Sequence, residues 1–415
     1  PVMGAVAFIM AETLGVEYAE VVKAALLPAI LYFASAFWMV HLEAGKRNLR
    51  GLPHSELPSA FEAIRRRWYL VLPLAALVYL LFSGYTPLFA GTIGLAFTVL
   101  LILGASVALR LPGNLLRYVF WIGLGLVAAS FFRYGISVIL VAAAGLIAVN
   151  LFNEGGRKTL ASCRDSLAEG ARTALPVGIA CSVVGIIIGT MTLTGVANTF
   201  GQFIVSVGST SLLLSLMLTM LTCILLGMGI PTIPNYIITA SIAGPALLEL
   251  GVPLIVSHMF VFYFGILADL TPPVALACFA AAPIARESGL RISMEAVKIA
   301  AAGFVIPYMA VYSPALMLQD GGPLSQSLGY PVAVAYIAAK ATLAIGLWGA
   351  AVTGYLGATL AWPLRALAMV SAFTLVVALT ITDEIGFALT ALFAFLAWRG
   401  IRQQKFATAA MGGGQ

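Results

Sequence analysis

Apolar residues in this chain come in long unbroken blocks, separated by short stretches of glycine, proline and charge. Crossing a bilayer core takes about 20 apolar residues in a helix. The blocks fall at 1–11 (half-length), 19–41, 68–82, 88–109, 115–132, 135–152, 175–197, 211–226, 235–249, 255–268, 273–285, 296–318, 332–358, 363–381 and 385–398. None alternates with period two, so the predicted elements are helices and not the strands of a barrel. The blocks at 235–249, 255–268 and 273–285 are short for a full span. They predict a re-entrant hairpin over 211–249 and a broken helix over 255–285.

Composition moves the whole chain into the membrane. Of 415 residues, 61% are hydrophobic and 9% charged, with mean hydropathy +1.04. A soluble domain carries roughly 25% charged residues, so the surface must face a lipid bilayer. The net charge of +6 sits in a few loops, where it sets topology and offers nothing to nucleic acid. Cys163, Cys181, Cys223 and Cys278 are widely spaced with no CxxC, and read as inert thiols. Residue 1 is a proline in apolar sequence, with no initiator Met and no signal peptide. The expectation is a chain that lacks an N-terminal portion.

Basic loops give an orientation. The loop 42–67 holds Lys46, Arg47, Arg50, Arg65, Arg66 and Arg67 and is expected in the cytoplasm. Counting spans forward puts Arg110, Arg117, Arg157, Lys158, Arg164 and Arg172 on the same side. Arg286, Arg291, Arg365, Arg399, Arg402 and Lys405 follow them, while Glu249, Asp320, Asp383 and Glu384 fall outside. Arg133 is the exception. Two full spans over 211–249 would give the same parity, so charge alone leaves re-entrance open.

The chain also repeats itself. Pro1-Val2 matches Pro273-Val274, and with three extra residues in the second copy Glu20 and Lys23 match Glu295 and Lys298. AEVVKAALLPAILYF then runs in register with MEAVKIAAAGFVIPY. Flanking charge places the copies in opposite orientations. Inverted repeats with broken helices mark secondary transporters.

Two irregular stretches lie at membrane depth. Gly227-Met228-Gly229-Ile230-Pro231-Thr232-Ile233-Pro234-Asn235 cannot continue a helix and predicts a hairpin tip. Asp269-Leu270-Thr271-Pro272-Pro273 divides 255–285 into half-helices, with Thr271 as N-cap and Pro272 as first helical residue. Such backbone is tolerated only inside protein or against water; the alternative for each is a structural kink. Free carbonyls and hydroxyls suit a hard cation such as Na⁺. The expected set is Gly227, Gly229, Thr232, Thr271 and the lone acid Asp269. Half-helix N-termini suit an anion, and Asn235 is placed to donate to a carboxylate. His41 and His54 read as solvated and His258 as packed. There is no HExxH and no nucleophile–base spacing, so no catalytic residue and no bound cofactor is expected.

GMGIPTIPNYIITA at 227–240, FGILADLTPPVALACFAAAPIA at 264–285 and PVMGAVAFIMAE at 1–12 resemble the large membrane subunit of tripartite ATP-independent periplasmic (TRAP) transporters. The Gly-Met-Gly-Ile-Pro-Thr form and the helices at 68–152 resemble the fused branch that works with TAXI-type binding proteins. The resemblance covers about 1–50 and 175–320. It implies an elevator-type, Na⁺-driven importer of small organic acids in the inner membrane, fed by a periplasmic binding protein. It also implies a small membrane subunit fused in the missing N-terminal part. By the same resemblance the substrate site comprises Pro1, Gly4, Thr232, Asn235, Thr271, Pro272 and Pro273. Pro234 stands where the family pattern has a small residue.

The expected fold is therefore all-α and polytopic, with inverted-topology repeats, a re-entrant hairpin and broken helices. Its parts are 1–41, the end of a first inverted repeat, and 42–67, the basic loop. Then come 68–152, an inserted four-helix segment, and 153–174, an interfacial amphipathic segment. The second repeat is 175–319, followed by C-terminal helices at 320–398 and a cytoplasmic tail at 399–415. Two other readings stay open: a binding-protein-independent anion symporter of similar fold, and an intramembrane enzyme.

Overall fold

The computed structural model describes residues 4–49, 51–53, 56–57, 59–67, 71–208, 211–377 and 380–412. Among them no strand forms, and the chain is a succession of helices. The first are α1 (Val6–Leu14), α2 (Tyr18–Lys46), α3 (Ala60–Arg67), α4 (Val71–Phe82), α5 (Pro87–Ala108), α6 (Asn114–Ala129), α7 (Phe131–Tyr134) and α8 (Ile136–Leu151). Next are α9 (Glu154–Leu193), α10 (Val196–Gly208), α11 (Leu212–Gly227), α12 (Thr232–Glu249), α13 (Leu254–Leu267) and α14 (Leu276–Ala285). The chain continues through α15 (Gly289–Ile299), α16 (Ala301–Tyr312), α17 (Pro323–Leu328), α18 (Tyr330–Thr353), α19 (Trp362–Val376) and α20 (Thr380–Gly412).

Among the described residues, α2, α5, α9, α18 and α20 contain spans long and apolar enough to cross a membrane. The pair α15–α16, bent by 41° at Ala300, makes another if taken as one. This is an all-α polytopic membrane protein. Several helices differ from the blocks read off the sequence. The mixed-charge stretch 153–174 and the apolar stretch from 175 form one continuous α9, with Pro176 inside it. Nothing in 154–175 stops a helix, because its polar residues are mostly good helix formers. The uncharged stretch after it is also helical, as α10.

Two compact units organise the chain: Pro1–Val16, Glu20–His54 and Ala180–Gln415 make one, and Glu17–Ala19 and Ser55–Ile179 the other. In the first unit, α11 and α12 form a helical hairpin, and α13 packs against both. At 1.5 Å per residue the 16-residue α11 is about 24 Å long, short of the ~30 Å hydrocarbon core. α10 lies against both arms, and α1 packs on α12 and α13. α13 is buried nearly all round, with Phe260, Phe262 and Phe264 hidden. Edge-on contacts from Phe260 and Phe264 to Tyr308 join it to α16.

The C-terminal helices of this unit pack through small residues. Ala344, Ala350 and Ala351 of α18 meet Ala368 and Ala372 of α19, with Phe393 and Ala397 of α20. Small side chains let membrane helices approach closely, because hydrocarbon itself gives them no hydrophobic drive to associate. One feature breaks the apolar pattern. Lys340, near the middle of α18 and 1% exposed, donates to Asp383 of α20, which also accepts from the Tyr336 hydroxyl at 2.7 Å. Asp383, read from sequence as a loop charge, is the partner of a buried lysine.

In the second unit, α4 and α6 both pack on α5, and α8 packs on α5 and α6. Asn150, fully buried, ties α8 to α5 through Nδ2 and the Leu103 carbonyl.

Candidate functional site

The candidate site is built where α11, α12, α13 and α14 end. Residues 228–231 turn α11 into α12. Gly229 takes φ 77°, a left-handed conformation that residues with a Cβ rarely adopt. Pro231 precedes α12, and Pro234 is buried in its first turn. There a missing N–H costs nothing, since the first helical amides have no intrahelical acceptor. This departure from the family pattern is accommodated without breaking the helix.

Asn235 closes the tip from inside. It is 1% exposed, and its Nδ2 donates to the Gly265 carbonyl at 2.7 Å and to the Gly227 carbonyl at 3.4 Å. The approach is close enough to require glycine. A Cβ on Gly227 would lie 2.6 Å from the Gly265 oxygen, and one on Gly265 would lie 2.6 Å from Asn235 Oδ1. Sequence reasoning expects Asn235 to donate to a substrate carboxylate. In this geometry the donor is engaged by two carbonyls, and among the described residues the buried acceptor Oδ1 has no partner. Gly265 lies 30 residues on in the chain, so no local pattern signals the contact.

The break after α13 also differs from expectation. α14 begins at Leu276, and its N-cap is Ala275 at φ 39°, not Thr271. The reason is the second proline. A residue that precedes proline is pushed out of the α region, so Pro272 cannot open a helix ahead of Pro273. Thr271 instead lies in the turn after α13, its hydroxyl donating to the Leu267 carbonyl at 2.7 Å. The loop is braced further by Ala277 N–H on the Asp269 carbonyl at 3.2 Å and by the Ser293 hydroxyl of α15 on the Leu270 carbonyl.

Asp269 sits in this loop with a buried Oδ1 that has no partner among the described residues. It lies just beyond the C-terminal end of α13, where the helix dipole is negative. An ionised carboxylate is disfavoured there unless a cation accompanies it. Tip and break meet: the nearest atom to a Cβ on Gly229 would be Val274 Cγ1, at 3.7 Å. Of the other expected residues, Thr232 opens α12 and is half-buried, as is Pro272. Pro273 is exposed. Gly4 is exposed just ahead of α1, and Pro1 and His54 lie outside the described residues. His258 is packed in α13, its Nδ1 2.9 Å from the Tyr236 hydroxyl of α12.

A family model described as "Tripartite ATP-independent periplasmic transporter, DctM component" matches residues 1–115 and 111–324. The chain belongs to this family. No curated protein and no solved structure matches it. The DctM match contains the whole candidate site, both breaks included, and stops short of Lys340 and Asp383. DctM proteins are the large permease components of TRAP transporters, which work with a periplasmic binding protein and a small membrane subunit. This DctM chain is thus a TRAP transporter permease subunit.

Proposed function

We propose that this DctM chain imports small organic acids by Na⁺-coupled symport, with an elevator-type movement, in the inner membrane. Its cargo arrives on a TAXI-type periplasmic binding protein, and it works with a small membrane subunit fused to the permease. The observation that carries the coupling ion is a pair of buried oxygens without partners among the described residues, Asn235 Oδ1 and Asp269 Oδ1. Both flank the last turn of α13, one against Gly265 and the other four residues further on. Amide, carboxylate and hydroxyl oxygens are hard donors of the kind alkali and alkaline-earth cations prefer. Asn235, Asp269 and Thr271, with the carbonyls of Gly227 and Gly229, would hold the ion. Its charge offsets that of Asp269 and of a bound carboxylate, both costly in a medium of low dielectric.

For the anion, the first turn of α12 supports a role. Thr232 and Ile233 have amide N–H groups with no intrahelical acceptor, and they sit at the positive end of the helix dipole. Gly4, Pro272, Pro273 and, by the repeat, Pro1 are read as the rest of that wall. The two repeat copies are read as inverted from their flanking charge.

The test is uptake of radiolabelled carboxylates into proteoliposomes, with the Na⁺ gradient and the binding protein each added or omitted. Uptake is expected only when both are present. Uptake of free substrate without a binding protein would favour an independent symporter. Uptake driven equally by a K⁺ gradient would end the sodium reading.

A further inference from the structure

The second unit carries a groove that lies apart from both helix breaks in the chain. Between α4 and α6, over the face of α5, runs an apolar groove of about 810 Å³. Its walls include Ala76, Phe97, Leu101 and Leu124, and at one end stand Arg117, Tyr118 and Trp121. The lining on α5 extends from Phe97 to Ala108, and on α6 from Arg117 to Ala128. At 1.5 Å per residue each wall is roughly 17 Å long. Half of a ~30 Å hydrocarbon core is about 15 Å. The groove is therefore about one leaflet deep, with its cation at the interfacial end.

Arg117 is held there by its own chain. Nε donates to the Leu111 carbonyl at 3.2 Å, and Nη2 to the Leu109 carbonyl at 3.3 Å, where α5 ends. Among the described residues Nη1 has no hydrogen bond and the guanidinium no ion pair. This end of the unit is basic. Arg110 lies between α5 and α6, Arg157 and Lys158 open α9, and Arg65, Arg66 and Arg67 precede α4, against Glu62 and Glu154. At the opposite end, the turns 83–86 and 130–135 carry only Arg133, which lies over the Tyr134 ring. Positive charge concentrates on the cytoplasmic side of membrane proteins, where the leaflet surface is anionic.

We infer that this groove holds one anionic phospholipid of the cytoplasmic leaflet. Its phosphate rests on Arg117 and one acyl chain lies between α4 and α6. A guanidinium with free N–H groups matches phosphate geometry. Tyr118 and Trp121 supply the amphipathic rings that favour the headgroup level. Free phosphate would meet the arginine but leave the apolar length without purpose, and a zwitterionic lipid would bring its own cation to the same place.

Native mass spectrometry of the full chain tests this, after extraction from liposomes holding equal phosphatidylglycerol and phosphatidylcholine. One phosphatidylglycerol is expected to survive delipidation. Arg117→Gln should weaken its retention at least about fivefold, the effect of one arginine at an anionic surface. Ala105→Phe, which fills the apolar part and leaves the cation, should also expel the lipid. Arg133→Gln at the other end is the control and should change nothing. Equal retention of phosphatidylcholine would overturn the inference. So would unchanged retention in Arg117→Gln, or loss of the bound lipid to millimolar inorganic phosphate alone.

Discussion

Two breaks interrupt helices at apolar depth in this permease, and they are made of different chemistry. The tip at 228–231 uses glycine and a single buried amide: Asn235 reaches back across α11 and α13, and space is so tight that Gly227 and Gly265 admit no methyl. The break at 268–275 uses prolines and hydroxyls. Thr271 bonds within its own turn, Ser293 comes from another helix, and an acid is left over. The tip is closed chiefly by shape around one amide whose Oδ1 is left over, and the break by hydroxyls beside a leftover acid. A joint of the first kind resists substitution sterically. One of the second kind responds to charge and to a missing oxygen.

Substitutions can separate these two characters. The largest effect is expected from Gly227→Ala, since the new methyl would meet a backbone oxygen at 2.6 Å that cannot swing away. Overpacking of this kind costs about 3 kcal/mol, visible as a lowered thermal midpoint in detergent together with lost uptake. A stable, active Gly227→Ala would show that the tip is loose. Asp269→Asn keeps the shape and removes the charge. The Na⁺ concentration for half-maximal uptake is expected to rise roughly thirtyfold, the ~2 kcal/mol of a charge-assisted contact, with stability unchanged or improved. Unchanged Na⁺ dependence would reduce the break to a kink.

Thr271→Val removes one oxygen from the break. It should raise the same Na⁺ concentration about tenfold; a purely structural Thr271 would instead lower the thermal midpoint and leave ion dependence alone. Thr232→Val, at the tip, is the smallest. Nothing in the tip depends on its hydroxyl as a helix cap, since Pro231 holds the N-cap position. A change of less than about threefold is expected in both uptake and Na⁺ dependence, below the roughly 1 kcal/mol of one hydrogen bond. A larger loss of substrate affinity would put Thr232 in contact with the anion.

The sequence carries the positions of both breaks because clustered glycine and proline act locally: helices are interrupted within 227–235 and around 269–273. It carries much less about what closes them. The brace from Asn235 depends on a carbonyl 30 residues away. The start of α14 depends on how a second proline constrains the first, which a simple rule of proline at the first helical position misses. Lys340 is hidden for another reason. It sits in an alanine-rich helix that still passes as a membrane span, and only Asp383, 43 residues later, explains how it is tolerated. Helix continuity misleads in the opposite sense at α9, where a change of composition at 174–175 marks no change of backbone.

The Lys340–Asp383 pair has a consequence for biogenesis. A lysine at the centre of a helix costs roughly 3 kcal/mol on insertion into a bilayer. α18 therefore leaves the ribosome with a charge that lipid disfavours, and its neutralising partner has not yet been made. The helix must wait beside the insertion channel, or sit shallow, until α19 has crossed back and α20 delivers its carboxylate. One of the last helices to be synthesised is what releases an earlier one into lipid. Chains ended before α20 are expected to keep α18 accessible to protease or to a thiol label, and Lys340→Leu should restore its protection in the same truncated chain.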